Sequence, residues 1–401
     1  MKKIKLELEK TTGKILGYTK TDETGSDCIP DGYAAVIDSA KAQGEEVYYS
    51  NGAVYKRSKD GLENEEEIRQ ITLGLENMEN QLKLRLAEYI NLKSEKALHL
   101  VKELAGQRIQ KLKERESLQR GLAKDVKSKT FEKLNSNRFK YYCSICLIIR
   151  DENEYLEEWL KWHIGQGVEH FYIYDHGSKQ PVCEFLKTLG KEVQDKVTVI
   201  NFGGSHVYAQ HDAYNDCLEK FKYESRWIGF IDSDEMVRIK NGKTLPEYLK
   251  PFEHYAGLFI VWEMYGANGQ VKKSPLPLRE RFTKLSPSTK SFGVGKVFVQ
   301  PLLIKKMLTH NGYTLDGCYV VDENEDFVDE AEAWKFNGTT ETICLDHYYT
   351  KSYEEWVEKM KRGSADPQYF RYYEDFFDYN PDMEYCRENI FPEQEYEKSK
   401  K

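Results

Sequence analysis

The sequence predicts an α/β protein: a mostly parallel sheet with helices on both faces, preceded by a long helical arm and a small β-rich module. Three patterns support this fold. Apolar runs alternate with helical stretches after residue 140, residues 62–134 repeat apolar side chains without a proline, and residues 1–60 alternate short apolar segments with turns. Alternation of strands and helices is typical of parallel sheets built from βαβ units.

Composition excludes several classes of protein. The chain has 401 residues, enough for two or three domains, and 40% of them are hydrophobic, enough for a sizeable core. Its net charge of −8 gives no general attraction to nucleic acid. The longest apolar run is too short to span a membrane, and the first residues lack the apolar stretch of a signal peptide. Because the eight cysteines are dispersed, we expect a reducing compartment and a cytoplasmic protein without a transmembrane segment.

Residues 1–60 are predicted to form the β-rich module. Segments 3–8 and 46–49 alternate apolar and polar side chains, as half-buried strands do. Asn51-Gly52 stands between two short apolar segments, which is a strong signal of a β-hairpin.

Residues 61–136 are predicted to form the helical arm. Their apolar stripe is too narrow to be buried without a partner helix. Gly106 and Gly121 mark points at which the helix could break into a hairpin. We expect either a coiled coil that joins copies of the chain into a homo-oligomer through residues 62–134, or an arm that folds back on its own domain. The predicted stripe contains Ile68, Ile71, Leu75, Met78, Leu82, Leu86, Tyr89, Ala97, Leu100 or Val101, Leu104, Ile109 and Leu112.

Residues 137–365 are predicted to form the α/β domain. The continuous apolar run Tyr141–Ile149 predicts a strand buried on both faces, with Cys143 and Cys146 as small buried residues rather than zinc ligands. Further strands are predicted at 171–174, 197–202 and 227–231, and helices at 181–189 and 208–222.

Residues 366–401 are predicted to form an aromatic-rich helical extension with a charged tail. Its aromatic rings either pack on the sheet or bind an acceptor.

Charged residues follow three of these strands. Asp232-x-Asp234 ends the fourth strand. Side chains at i and i+2 point to the same side, so these two carboxylates can hold Mn²⁺ or Mg²⁺ beside a diphosphate. Ligands of parallel sheets bind beyond the carboxyl ends of the strands. The other charged residues at strand ends are Arg150, Asp151, Glu152 and Asp175.

Two of these segments resemble glycosyltransferases of the GT-A fold, whose sheet is Rossmann-like. Residues 171–178 resemble their Asp-x-Gly-Ser turn. Residues 226–236 resemble their metal-binding strand.

Three longer blocks are more specific. Residues 158–171 and 345–363 are similar to the opening and closing blocks of glycosyltransferase family 92 and of related family 2 enzymes. Residues 262–269 resemble a third block of that family, in which Tyr265 replaces the usual Phe. The resemblance covers residues 140–365, with the blocks in the family's order.

The resemblance implies a metal-dependent glycosyltransferase. It would move a sugar from a nucleotide-diphosphate sugar, expected to be a UDP-sugar, to a hydroxyl of a glycan or other acceptor. By the same resemblance Asp232 and Asp234 hold Mn²⁺ or Mg²⁺, and His347 is either a third metal ligand or a contact of the diphosphate. Arg362 would contact phosphate, and His310 stands at a family position without an assigned role. The residues expected to bind the nucleotide-sugar are Arg150, Asp151, Glu152, Asp175, Asp232, Lys296 and Lys351.

The catalytic base is the least specific part of this prediction. An inverting transferase, which we expect, needs a carboxylate that takes the proton of the acceptor hydroxyl. Glu263 lies inside the third block and is our candidate, although the family pattern varies at its position. Asp316, Asp322 and Asp326 lie further along the chain. A retaining mechanism would need no such base.

Two other classes of function compete with this interpretation. A nucleotidyltransferase usually carries a glycine-rich, lysine-containing loop after its first strand, whereas residues 150–154 contain no glycine. A non-catalytic module that binds glycan or serves an assembly could use a degenerate transferase fold. The intact pair Asp232 and Asp234 favours the enzyme.

Overall fold

The computed structural model describes two compact units. The first comprises residues 1–134, 314–319 and 325–327, and the second comprises the remainder of residues 135–401. We call them the N-terminal and C-terminal units. Within them, the structure describes residues 3–8, 15–21, 28–30, 33–42, 46–50, 53–57, 59–92, 95–128, 139–288, 294–315, 318–329, 333, 336, 338–364 and 371–386.

The N-terminal unit begins with two small antiparallel sheets. Strand β1 pairs with β2 and β3 in one sheet, and β4 pairs with β5 in the other. The predicted hairpin is confirmed, since Ser50 lies opposite Ala53, while Asn51-Gly52 falls outside the described residues. A helix between the sheets was not predicted. The elements are β1 (Lys3–Leu8), β2 (Ile15–Thr21), β3 (Cys28–Pro30), α1 (Tyr33–Ala42), β4 (Glu46–Ser50) and β5 (Ala53–Arg57), and their shared core contains Leu6, Ile15, Ile37 and Val47.

The arm is a pair of long helices, α2 (Lys59–Leu92) and α3 (Glu95–Ser128). Ile71 and Leu75 of the predicted stripe are buried, whereas Ile109 is exposed. The break lies between Leu92 and Glu95 and not at Gly106 or Gly121, both of which are inside α3. A glycine inside a helix costs only about 1 kcal/mol, too little to end a long helix by itself. No described helix is both long and apolar enough to cross a membrane. That the arm joins copies of the chain stays a prediction.

The C-terminal unit is built on a large mixed sheet. Its first four strands are parallel, as predicted, and they lie in the order β8-β7-β6-β9. The order then continues β12-β11-β16-β10 with mixed directions, which the sequence did not predict. The elements are β6 (Tyr141–Ile149), α4 (Asn153–Gly165), β7 (His170–Asp175), α5 (Val182–Leu186), α6 (Lys191–Gln194), β8 (Val197–Asn201), α7 (Ala209–Phe221), β9 (Ser225–Phe230), β10 (Glu235–Ile239), α8 (Leu245–Leu249), β11 (Gly257–Met264), α9 (Leu278–Arg281), β12 (Gly295–Val299), β13 (Ile304–Met307), β14 (Gly312–Thr314), β15 (Val320–Val321), β16 (Ile343–His347), α10 (Tyr353–Arg362) and α11 (Asp375–Tyr379).

Strand β6 lies at the centre of the parallel half. Its residues Cys143 and Cys146 are both buried and free, which confirms their interpretation as small core residues. The chain moves from β6 to β7 and β8 on one side, then crosses back to β9 on the other. Right-handed crossovers therefore place the helices after β6 and β8 on opposite faces.

The edge strand β10 is covered by side chains of α4. The indole nitrogens of Trp159 and Trp162 donate to the carbonyls of Glu235 (2.8 Å) and Val237 (2.7 Å). The backbone N–H of Val237 donates to Nε2 of His163 at 3.2 Å. This imidazole accepts because burial lowers the pKa of His163 to about 3 and keeps the ring neutral. Helix α4 thus satisfies backbone groups that an open sheet edge would expose.

The aromatic residues near the C-terminus form a packing layer. The buried cluster consists of Met264, Ala267, Tyr349, Tyr353, Trp356, Phe376, Phe377 and Met383. Of the predicted rings, Tyr372 is exposed, whereas Tyr369 and Phe370 lie outside the described residues. For the clustered rings, packing is the interpretation that the structure confirms.

A glycine at the start of β12 allows two strands to approach closely. A Cβ added to Gly295 would lie 2.0 Å from the carbonyl oxygen of Ile260 in β11. We expect Gly295→Ala to destabilise the protein by about 2 kcal/mol, because backbone must move to admit the methyl group. Gly165→Ala is the control, since that helical position has no neighbouring atom within 4 Å. Urea denaturation of both variants tests this, and equal free energies of unfolding would contradict it.

Candidate active site

The candidate site lies at the topological switch point of the sheet, where the order in which the chain adds strands reverses. Strands β6 and β9 are neighbours and parallel, and the chain leaves them toward opposite sides. A crevice opens at the carboxyl ends of two such strands, which is where parallel sheets bind ligands. Residues 150–153 follow β6 and residues 231–234 follow β9.

Asp234 is a buried acid of this crevice. Its Oδ2 atom lies 2.7 Å from Nζ of Lys359 and 3.4 Å from Nζ of Lys351. Its Oδ1 atom lies 3.6 Å from Nε2 of His347. Burial by itself would raise the pKa of Asp234, but these cations and His347 hold it well below its usual range. Asp234 is therefore an ionised carboxylate inside a positive pocket.

Asp232 has a different environment from Asp234. Its side chain is 33% exposed, against 6% for Asp234, so only Asp232 also faces solvent. Oδ2 of Asp232 lies 3.0 Å from Nζ of Lys296, and Oδ1 accepts from Gln210 at 2.7 Å and from Tyr214 at 3.2 Å. Because Gln210 and Tyr214 are one turn apart on α7, that helix fixes the carboxylate.

Glu152 extends the cluster on the other side of Asp234. Lys351 lies 3.6 Å and Arg362 lies 2.6 Å from Oε1 of Glu152, and Ser233 donates to Oε2. Although burial opposes ionisation, Lys351 and Arg362 lower the pKa of Glu152. Lys351 has a φ of +53°, a left-handed backbone that is unusual for a lysine and marks a constrained position. We call Glu152, Asp232, Asp234, Lys296, Lys351 and Lys359 the carboxylate–lysine cluster.

Three predicted nucleotide-binding residues have structural contacts at the rim. Arg150 donates to the carbonyl of Arg362 at 2.5 Å. Asp151 accepts from the backbone N–H of Lys179 at 2.7 Å, which joins the loop after β6 to the loop after β7. Asp175 is the last residue of β7, and its two carboxylate oxygens accept the backbone N–H groups of Ser178 (2.9 Å) and Val182 (2.9 Å). Asp175 therefore shapes the turn after β7.

Two histidines and a tryptophan lie beside the cluster. The ring of Trp262 is 4.4 Å from that of His347 and 5.5 Å from that of His310. Burial lowers the pKa of both imidazoles, that of His310 to about 4. Nδ1 of His310 pairs with the carbonyl of Gly295 at 2.9 Å, whereas Nδ1 of His347 is buried without a hydrogen-bond partner. Both rings are therefore neutral at pH 7.

Glu263 lies on the opposite face of the sheet from this cluster. It is opposite Asp346 in the pairing of β11 with β16, whereas Met264 is opposite His347. Consecutive residues of a strand point to opposite faces. The carboxylate of Glu263 contacts Arg238 and lies 2.5 Å from Nζ of Lys240. Asp316, another candidate base, falls outside the described residues. We therefore propose no catalytic role for Glu263.

Several residues of the site were not predicted. Lys359 appeared only as a position of the closing block, and Gln210 and Tyr214 did not appear at all. Glu235 was also missed: its Oε2 accepts the backbone N–H of Asp232 at 2.7 Å, and burial raises its pKa well above the usual range. The sequence held one signal for Gln210 and Tyr214. They are four residues apart near the start of α7, so they lie on the same face of that helix.

The ligand types around Asp234 suit a divalent ion. Asp232 and Asp234 offer carboxylate oxygens and His347 an imidazole nitrogen, which Mn²⁺ accepts. Among the described residues, only Glu263, Cys344 and Asp346 form a group of three such side chains within 4.8 Å of one another. Arg238 pairs with two of those three and occupies that group. Lys296, Lys351 and Lys359 likewise pair with Asp232 and Asp234, so ion binding would have to displace these ammonium groups and draw Asp232, Asp234 and His347 closer together.

An α/β sheet with a polar crevice at its switch point is the architecture of a ligand-binding α/β protein. Comparison with known proteins makes this class more specific. Residues 141–365, more than half of the chain, match the sequence profile of glycosyltransferase family 92. The chain belongs to glycosyltransferase family 92.

Individual relatives are similar over shorter segments. A family 92 protein of Ricinus communis is 30% identical over 114 residues, which are 28% of this chain and 19% of the relative. A family 92 protein of Oryza sativa subsp. japonica is 24% identical over 131 residues, 32% of this chain and 22% of the relative. A galactan beta-1,4-galactosyltransferase of Arabidopsis thaliana is 30% identical over 122 residues, 28% of this chain and 24% of the relative. The matched segments thus span about a quarter or less of these relatives.

Proposed function

We propose that this glycosyltransferase moves a sugar from a nucleotide-diphosphate sugar to a hydroxyl of a glycan, with the donor bound at the carboxylate–lysine cluster. The observation that carries this proposal is the group of three buried lysines around Asp232 and Asp234 at the switch point of the sheet. Buried lysines next to two acids form a charged site that is costly unless it serves a ligand or a fixed network.

The lysines suit the charge that a departing diphosphate carries. Lys296 is buried between Asp232 and the carbonyl of Thr309, which lies 3.2 Å from its Nζ. Burial lowers the pKa of Lys359 to about 8, although Asp234 opposes that shift. At pH 7 all three ammonium groups are charged, so they can stabilise negative charge that develops on a leaving group.

A divalent ion, Mn²⁺ or Mg²⁺, is the proposed cofactor. Asp232, Asp234 and His347 would hold it, and it would neutralise charge on the donor diphosphate. Asp232 is the best placed to reach the donor, because a third of its side chain faces solvent.

Relatives named galactan beta-1,4-galactosyltransferase suggest the sugar to test first. We propose a galactosyl donor and a β-1,4-linked galactan acceptor. We propose that the transfer inverts the configuration at the anomeric carbon of the sugar. A basic side chain would take the proton of the acceptor hydroxyl. Incubation with UDP-galactose, UDP-glucose and galacto-oligosaccharides, followed by mass spectrometry and NMR of the new linkage, would identify both the sugar and the stereochemistry.

Donor binding is tested most directly by calorimetric titration of UDP with Mn²⁺ or with a chelator. We expect binding that requires the metal and that weakens at least about a hundredfold in Asp232→Ala, because a charge-assisted ligand contact is lost. The exposed Asp382→Asn is the control and should bind as wild type does. UDP binding that ignores both the metal and Asp232 would contradict this donor site.

A further inference from the structure

The loop after β8 places two exposed side chains at the end of the sheet that holds the donor site. Val207 and Tyr208 are 68% and 38% exposed, directly before α7. Because α7 follows a parallel strand, its first residues lie at the carboxyl ends of the strands, as the carboxylate–lysine cluster does. We call Val207 and Tyr208 the rim pair. A ligand in solution can reach both of them.

Helix α7 connects the rim pair to the donor site. Gln210, two residues after Tyr208, donates to Oδ1 of Asp232 at 2.7 Å. A helix rises about 1.5 Å per residue, so Tyr208 and Gln210 lie about 3 Å apart along its axis. The ring of His211 stacks on that of Tyr208 with centroids 5.9 Å apart, and its Nε2 pairs with Oγ1 of Thr309 at 2.8 Å. A molecule bound on Tyr208 would therefore lie beside the donor site without entering the carboxylate–lysine cluster.

The loop that carries the rim pair is held by its own contacts. The ring of Phe202 stacks on that of His206 with centroids 4.2 Å apart, and Nδ1 of His206 lies 3.2 Å from the carboxylate of Asp212. Asp212 in turn donates its backbone N–H to the carbonyl of Tyr208 at 3.0 Å. Because both ends of the segment 202–208 are fixed, little conformational entropy is lost when a ligand binds there.

The residue type at the start of α7 favours ligand binding over helix stability. The position before the first helical residue usually holds Ser, Thr, Asp or Asn, whose side chain accepts a backbone N–H of the first turn. Among the described residues that begin α7, Tyr208 occupies this position, and its side chain makes no such bond. An exposed ring that does not cap the helix gives up stability here, and such departures from local preference are typical of functional surfaces.

The exposed groups match the chemistry of a neutral sugar. One face of Tyr208 stacks on His211, and the exposed part of the side chain leaves ring surface for the C–H face of a sugar. Asp212 lies one turn further along the same face of α7, and its side chain is 52% exposed. A carboxylate beside an aromatic ring accepts hydrogen bonds from sugar hydroxyls. The same carboxylate would repel the phosphates of the donor.

We propose that the acceptor glycan binds on the rim pair, with one sugar ring on the face of Tyr208 and hydroxyl groups of that sugar on Asp212. This inference rests on the proposed function, because it takes the transfer to a glycan as given. It adds the side from which the acceptor approaches, which is the start of α7, beside Asp232. The ligand class is a neutral oligosaccharide, and a β-1,4-linked galactan is the member to test.

The test titrates the full chain with β-1,4-galactotetraose by ligand-observed NMR, in the absence and in the presence of UDP with Mn²⁺. Tyr208→Ser should bind the oligosaccharide about fivefold more weakly than wild type, because the stacking surface is lost. Its free energy of unfolding in urea should not fall, since serine is a preferred residue at this position of a helix. A loss of affinity without a loss of stability assigns the ring of Tyr208 to binding.

Two further variants serve as controls. Tyr208→Phe keeps the aromatic ring and should bind galactotetraose as wild type does. Tyr223→Ser removes another exposed tyrosine, which is 44% exposed and lies just beyond the opposite end of α7. This variant should also bind as wild type does, because it leaves the rim pair intact.

Titration with UDP separates this site from the donor site. Tyr208→Ser should bind UDP with Mn²⁺ as wild type does, because Tyr208 lies outside the carboxylate–lysine cluster. If UDP fails to bind wild type while galactotetraose binding still depends on Tyr208, the donor proposal is wrong and the acceptor site stands. The acceptor site is wrong if galactotetraose does not bind wild type with or without UDP, if Tyr208→Ser binds it unchanged, or if Tyr223→Ser weakens binding equally.

Discussion

Asp234→Asn is expected to destabilise the protein by about 3 kcal/mol and to reduce transferase turnover at least about a hundredfold. The loss of stability follows from two buried lysines: Lys359, 2.7 Å from Oδ2 of Asp234, would lose its main counter-charge, and Lys351, 3.4 Å from the same atom, would keep only Glu152. The loss of turnover follows from the proposed role of Asp234 in holding the ion. Urea denaturation and a product assay measure the two effects.

A second variant separates these two effects. Asp234→Asn/Lys359→Met removes both members of the closest ion pair, so most of the lost stability should return. Turnover should remain low, since the carboxylate is still absent. Asp382→Asn, an exposed acid, is the control for both measurements. If turnover recovers together with stability, Asp234 is a structural residue and the proposed donor site is wrong.

Local patterns predicted the parallel half of the sheet, in which strands alternate with helices along the chain. The run 141–149 matches β6 over its whole length, because a parallel central strand is apolar throughout. The order β12-β11-β16-β10 could not be predicted in this way. It depends on pairings between segments that lie far apart in the chain, and no local pattern encodes them.

Because the sequence shows only local patterns, it could place some residues of the site and not others. Asp232 and Asp234 were placed correctly beside β9 because they directly follow an apolar run. For Glu263, the alternation along β11 shows that its side chain points away from Trp262 and His347, which its place in the sequence block does not reveal. Once Trp262 is assigned to the site, its neighbour Glu263 cannot share that face.

Replacement of Glu355 is expected to have the second large effect on the stability of the protein. Its carboxylate contacts Arg281, and both side chains are 2% exposed. Glu355 also accepts from Tyr155 at 2.7 Å and from the backbone N–H of Ser352 at 3.0 Å, in a capping box that begins α10. Because α10 carries Lys359, this network positions one wall of the donor site.

We expect Glu355→Gln to destabilise the protein by about 3 kcal/mol at pH 7, since it leaves the buried Arg281 without a counter-charge. Glu354→Gln is the neighbouring control and should cost much less, because Glu354 pairs across 3.6 Å with a lysine that is 82% exposed, and a glutamine keeps an oxygen for the backbone N–H of Lys273. Urea denaturation of the two variants gives the comparison. Equal losses would show that the buried pair adds no stability beyond a surface pair.

The difference in unfolding free energy between wild type and Glu355→Gln should also depend on pH, which gives an independent test. Burial would raise the pKa of Glu355, but Arg281, Ser352 and Tyr155 lower it from 4.5 to about 2. A carboxyl group with a lowered pKa stabilises the folded state above its unfolded pKa and loses that contribution as it is protonated. The gap in unfolding free energy between wild type and Glu355→Gln should therefore be full above about pH 4.5 and shrink as the pH falls toward 2. A gap that stays constant over this range would mean that the loss in Glu355→Gln comes from packing and not from charge.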